Sequence, residues 1–206
     1  MKYLTSIWTT ITLCILLLGI RVLDPFLVEQ TRLNSFDQYI QSLPDKESDV
    51  VLLSLGEETL AVHGQYPFPR QTYAQLISDL RNANAGMIAF TLMFPEADRF
   101  GGDEVFISWV KDNGIILAQD ASSRGRSDTA PYVGTATLGA GDAYDFVPKY
   151  KGLVTNIKAL EEVAWGVGLI NAGVEVDNIT RRIPLLSQIN GQLYPAMPLE
   201  IIRVIQ

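Results

Sequence analysis

The 206-residue sequence predicts an α/β fold: a mostly parallel central sheet with flanking helices, preceded by an N-terminal transmembrane helix and a stalk helix. Three observations lead there. Residues 3–20, between Lys2 and Arg21, are uncharged and carry leucines and isoleucines on every helical face. A segment with no polar side belongs in lipid or in a deep core. Further on, short apolar runs of strand length alternate with stretches whose apolar residues recur at helical spacing, the pattern of parallel strands joined by helical crossovers. Finally, Cys14 is the only cysteine and lies in the apolar run, so no disulfide or thiolate metal site can form within the chain.

The elements follow in order. At 1.5 Å per residue the first segment covers roughly 26 Å, close to the hydrocarbon thickness with its flanks. Arg21-Val-Leu-Asp-Pro-Phe-Leu27 offers no small residues for a signal-peptide cut, and Leu13 precedes Cys14 where a lipoprotein needs a small residue. A buried core helix at the extreme terminus with charged ends is uncommon. Lys2 and the terminal amine on one side, against Arg21 closely followed by Asp24 and Glu29 on the other, favour the short terminus inside. The expected organisation is therefore an anchor over residues 1–21, a juxtamembrane stalk over 22–44 and one extracytoplasmic domain over 45–206. Some 180 residues remain after the anchor, enough for a sizeable core.

Phe26, Leu33, Phe36 and Ile40 share one side of the stalk helix, which Leu43-Pro44-Asp45 ends. That side packs on its own domain or on a second copy of the chain, giving a homodimer. Asp49–Leu55 reads as a strand buried on both faces, and Met87–Phe94 as a second. Between them, Tyr73, Leu76, Ile77 and Leu80 mark a helix. Val105, Trp109 and Val110 mark another, stopped at Asn113-Gly114 before a third strand at Ile115–Ala118. Ser122–Gly141, rich in Gly, Ser, Thr and Ala, reads as an irregular connection. A short helix at Ile157–Val163, strands at Gly166–Ala172 and Arg181–Ile189, and a helix at Ala196–Ile205 complete the chain. Asn190-Gly191 is its strongest hairpin signal.

A formal charge of −7 without a Lys/Arg cluster argues against a nucleic-acid partner. In open parallel sheets ligands gather beyond the carboxyl ends of the strands. Glu57, Glu58 and His63 follow the first predicted strand; Glu96, Asp98 and Arg99 follow the second, and Asp120 the third. Acidic loop residues are usually solvated or helix caps, and the lone His63 has no His or Cys partner for a metal, so neither an enzyme nor a metal or cofactor site is expected. Gln65-Tyr-Pro-Phe-Pro-Arg70 is more distinctive: its prolines hold the backbone extended, and Arg70 stands at a helix start, where a cation opposes the dipole. Arg70 therefore needs a specific carboxylate or a ligand. Arg181 and Arg182 begin a strand on opposite faces; one pairs inside the domain and the other meets solvent or an anionic ligand.

Taken in order, these pieces resemble the CHASE2 domain, an extracytoplasmic sensor module of bacterial signalling receptors. The resemblance rests on Gly56-Glu-Glu-Thr-Leu60, Pro67-Phe-Pro-Arg70, the segment Gly86–Asp98, Gly101-Gly-Asp103, the Asp177–Leu185 strand and the closing helix Pro195–Arg203. It runs from about Gln30 to the end. The chain departs from the family pattern at Gly56-Glu57, Thr91 and Ala97, where Asp-Asp, Asp and Pro are usual. The resemblance implies a bacterial inner-membrane protein, single-pass as given, whose extracytoplasmic domain senses a small ligand or a protein partner and relays it through the membrane helix. The candidate ligand residues are Glu57, His63, Arg70, Asp98 and Arg181. The alternative is a structural subunit of a membrane complex with no small-molecule ligand.

Overall fold

A computed structural model of the chain describes residues 6–123 and 145–206. It is a mixed α/β structure. Its helices are α1 (Ile7–Leu23), α2 (Phe26–Gln41), α3 (Glu57–His63), α4 (Arg70–Asn82), α5 (Asp103–Lys111), α6 (Lys158–Glu161) and α7 (Met197–Ile205). Its strands are β1 (Ile88–Phe90), β2 (Ile115–Ser122), β3 (Lys149–Tyr150), β4 (Gly152–Val154), β5 (Gly166–Leu169), β6 (Leu186–Ile189) and β7 (Gln192–Pro195). They fall into two compact units, one up to Leu53 together with Val174–Ile179, the other Ser54–Gly173 with Thr180–Gln206.

In the first unit, α1 and α2 break at Asp24-Pro25 and meet at 82°. Pro25 has no N–H to continue the ladder, and Asp24 turns the chain with a left-handed φ of 40°. Among the described residues no single helix is long and apolar enough to cross a membrane; α1 and α2 satisfy that test only as a bent pair, by length and composition. The predicted stalk helix corresponds to α2, with Leu33 buried and Phe36 and Ile40 partly exposed. A turn precedes Arg181: Asn178 has φ 62° and donates its N–H to Glu175 O.

The second unit holds both sheets. In the larger, β2 pairs in parallel with β1 and β5, and its last residues pair with β4 antiparallel. The register sets Ile88 opposite Ile115 and Gly166 opposite Ile116. Side chains of β2 alternate between two layers. Ile115 and Leu117 face α4, α5 and α6 in a core with Tyr73, Ile77, Phe94, Phe106 and Leu160, while Ile116 and Ala118 face Met197 of α7. A Cβ on Gly168 would run into the Met197 backbone, so glycine in β5 is what lets α7 lie close. The smaller sheet runs β3-β6-β7, with β3 parallel to β6 and β6 antiparallel to β7 across Asn190-Gly191. Both turn residues have positive φ, 50° and 84°, as that hairpin demands.

Three expectations change. The sheets are mixed rather than one mostly parallel sheet, because β4 and β7 return antiparallel. Asp49–Leu55 is not a strand: Val50, Leu52 and their neighbours are 81% and 88% exposed and form no ladder. Apolar composition supplies no hydrogen-bond partner, and β2 is already paired on both sides, by β1 and by β5. Glu57–His63 is a helix rather than a loop. Gly56 before it, two glutamates in its first turn and Gly64 after it, at φ 83°, form the start and stop of α3. The predicted irregular connection Ser122–Gly141 lies almost wholly outside the described residues; its first residue closes β2.

Candidate functional site

The segment Gln65–Arg70 leads into α4, and its residues contribute to the lining of two cavities. Pro67 and Pro69 remove backbone donors, and α4 begins at Arg70, directly after Pro69; ahead of it the chain bends over Gln65–Pro67, with the Tyr66–Pro67 bond cis, rather than running extended as the sequence predicts. Its first N–H is capped from elsewhere: Asp98 Oδ2 accepts from Arg70 N at 3.2 Å and from Gly102 N at 3.0 Å. Asp98 N in turn donates to Asp103 Oδ2 at 2.8 Å, in the first turn of α5. One carboxylate thus serves two chain segments, the N-terminus of α4 and the Gly101-Gly102 turn.

The Arg70 side chain is buried in this knot. Its Nε lies 3.4 Å from Asp103 Oδ1, an Nη2–H donates to Glu96 O at 3.0 Å, and the guanidinium stands 4.4 Å over the Phe94 ring. A buried cation is tolerated only with such partners. The cation at a helix start finds its carboxylate in Asp103, reached across the sheet connection rather than within α4. Burial acts to raise the Asp98 pKa. The N–H groups of Arg70, Gly102 and Phe100 and the Arg70 charge outweigh it and hold that carboxyl below its usual range.

The first cavity, about 410 Å³, is lined by His63 of α3, by Tyr73, Leu76 and Asp79 of α4, and by Leu55 and Phe68 from the segments before these helices. The second, about 280 Å³, is lined by Tyr66, Phe68, Arg70, Tyr73, Phe94 and Asp98 among others. Phe68 and Tyr73 belong to both, with ring centroids 6.3 Å apart, and His63 meets Phe68 edge-on at 6.0 Å. Burial pushes the Tyr73 phenol up, so it stays a neutral hydrogen-bonding group. Both spaces combine aromatic walls with a few polar groups, the character of small-molecule sites.

Of the five candidate residues, the structure brings Arg70 and Asp98 together and puts His63 on the neighbouring cavity. Glu57, on the first turn of α3, and Arg181, half-buried ahead of β6, line neither cavity. Asp120 is held by Asn171, whose Nδ2 donates to its Oδ1 at 2.6 Å. Among the described residues no group of three or more His, Cys, Asp or Glu could hold a metal ion.

Sequence reasoning missed a second polar cluster, on the sheet layer of Leu117. Glu161 of α6 is 4% exposed, and its Oε1 accepts from Asn156 N at 3.0 Å and Nδ2 at 3.4 Å. Asn156 ties the segment that follows β1 to β2: its Oδ1 accepts from Phe94 N at 2.8 Å and its Nδ2 donates to Ala118 O at 2.9 Å. Gln119 is fully buried with neither amide atom hydrogen-bonded. The available signal was faint: Gln119 directly follows the apolar run Ile115–Ala118 and is itself followed by Asp120, which reads as the end of a strand.

No curated protein and no solved structure matches the chain. A family model does, that of the CHASE2 domain, over residues 10–206. Its match takes in both cavities, the Arg70–Asp98–Asp103 knot and the buried Glu161 cluster. The chain belongs to the CHASE2 domain family, a family of extracytoplasmic sensory domains in signalling receptors.

Proposed function

We propose that this chain is a membrane-anchored extracytoplasmic sensory domain of a bacterial receptor, and that its ligand occupies the cavities that Gln65–Arg70 helps to line. The observation that carries the reading is the wall shared by those cavities. Phe68 and Tyr73 line both, beside an arginine fixed by two carboxylates. Arg70 and Asp98 then act by positioning the wall, and His63 by offering a polar group to the first cavity. A ligand moves such a domain only through its differential affinity for two states. Shifting Phe68 or Tyr73 supplies that difference. The reading assigns no catalytic residue.

Thermal unfolding of the full chain in mild detergent, screened against small aromatic and carboxylate compounds, tests the proposal. Expected is a compound that raises Tm and loses its effect in Tyr66→Ala or Leu76→Ala, one variant for each cavity. If no compound does so, the ligand reading falls. The anchor is part of the same proposal: α1, apolar on all sides and exposed along its length, together with the residues before it. Native membranes washed with alkaline carbonate should retain the chain and release a variant carrying Leu16→Arg and Leu17→Arg. Release of the unaltered chain would remove the anchor.

A second reading, a structural subunit that binds another protein, is favoured by one observation. Val50–Leu55 is an uncharged apolar run exposed to solvent, the kind of surface that marks interaction sites. A stoichiometric partner retained through purification in mild detergent supports that reading, and self-dimers alone count against it.

A further inference from the structure

Glu161 is a carboxyl group in an unusual position. It is 4% exposed, and among the described residues no Lys or Arg forms an ion pair with it. Among the described residues its hydrogen bonds come from Asn156. A carboxylate buried without a cation is costly to keep ionised, and such groups take up a proton instead.

The groups around it can be named element by element. From β7 comes Tyr194, whose phenol is pushed up by burial and by the Glu161 charge itself. Toward β2, its partner Asn156 donates to Ala118 O. Beside it on α6, Leu160 is buried in the apolar cluster of Phe106, Val110, Ile115 and Leu117. On α6 itself, Lys158 pairs at 3.6 Å with Glu162 in solvent, and on the opposite side of the sheet Arg203 pairs with Glu200. Among the described residues no Lys or Arg pairs with Glu161 to offset its ionisation.

We propose that Glu161 is a proton-binding site, and that its protonation resets the Asn156 clamp on Phe94. The step is simple: a proton passes from solvent to the carboxylate, and one buried negative charge is lost. Oε1 then accepts less strongly from Asn156 N and Nδ2, and the two bonds that hold Asn156 in place loosen. Asn156 holds Phe94 N through Oδ1, and the following residue, Ile157, donates its N–H to Phe94 O at 2.8 Å. Phe94 is the ring under the Arg70 guanidinium and a wall of the second cavity. A proton needs no cavity of its own, so a closed site suits it. The binding step stands on its own, and only its use as a signal rests on the sensory reading above.

The direction can be worked out. Burial raises the folded-state pKa of Glu161 above its unfolded value, against the opposing Asn156 hydrogen bonds. Its contribution to stability is therefore fully present below the unfolded value, about pH 4.3, and lost as pH rises through the folded one. Tm of the full chain, measured in detergent from pH 4.5 to 8, is to be compared with Glu161→Gln, which cancels the other titrating groups. Expected is a wild-type-minus-variant Tm difference that falls with rising pH, by about 3–5 °C for each unit of pKa elevation. A flat difference overturns the proposal. Should Glu161→Gln not fold, hydrogen exchange of the unaltered protein decides. Protection at the Phe94 and Asn156 amides, corrected for intrinsic rates, should follow one titration with its midpoint above 4.3, and pH-independent protection overturns the proposal. Because neither measurement uses a small-molecule ligand, failure here is distinct from failure of the cavity reading.

Discussion

Arg70 shows how much one side chain can hold. Removing it leaves Asp103 Oδ1 and Glu96 O facing an empty, partly buried space and uncovers the Phe94 ring. Arg70→Ala is expected to cost about 3 kcal/mol in urea unfolding, the lower end of the roughly 3–5 kcal/mol for removing one partner of a buried pair, because Asp103 is partly exposed. Arg70→Lys should recover only part of this, since one ammonium cannot serve a carboxylate, a carbonyl and a ring from a planar fork. Asp98 makes the opposite pH prediction to Glu161. Its folded pKa is lowered, so its contribution is present above the unfolded value of about 3.9 and lost as pH falls through the folded one. Asp98→Asn should therefore lower Tm at pH 6 and flatten the loss of stability between about pH 5 and 2, measured by thermal unfolding. At this scale the sequence was informative. A cation at a helix start demanded a partner, and Asp103 meets that demand. Which carboxylate would answer depended on the path from β1 to α5, and no local rule contains it.

Among the elements, legibility followed sequence distance. The hairpin at Asn190-Gly191 and the helices α4, α5 and α7 are written in neighbouring residues, and they form where expected. Val50–Leu55 is the counter-example, because a strand exists only when another edge bonds to it. The long apolar segment Met87–Phe94 likewise shrinks to β1: past Phe90 the backbone turns to Asn156, so Phe94 N meets a side chain instead of a strand. Packing of α7 on β5 was also invisible in periodicity, since it depends on the absence of a side chain. Gly168→Ala would drive a methyl into the Met197 backbone. The expected loss is about 1–3 kcal/mol by chemical denaturation, with α7 amides exchanging faster than those of α4.

For the whole molecule, the division near Leu53 has a direct test. Ser42–Leu55 forms no helix or strand and is mostly exposed, so brief proteolysis should cut there first. The fragment beginning near Gly56 contains α3, both sheets and their cores, and should unfold cooperatively near the Tm of the full chain. A fragment that loses its circular dichroism on release would show that the preceding residues are needed for folding. The fold class was readable in advance because alternation of strand and helix is a global pattern. The mixture of strand directions was not, because β4 and β7 are short and their direction depends on where the chain re-enters the sheet. Phe68 and Tyr73 set one further condition on the assembled domain. A ring that lines two chambers cannot move to admit a guest in one without reshaping the other. Two guests, one in each chamber, would therefore sense each other without touching, each changing the other's affinity by the same factor.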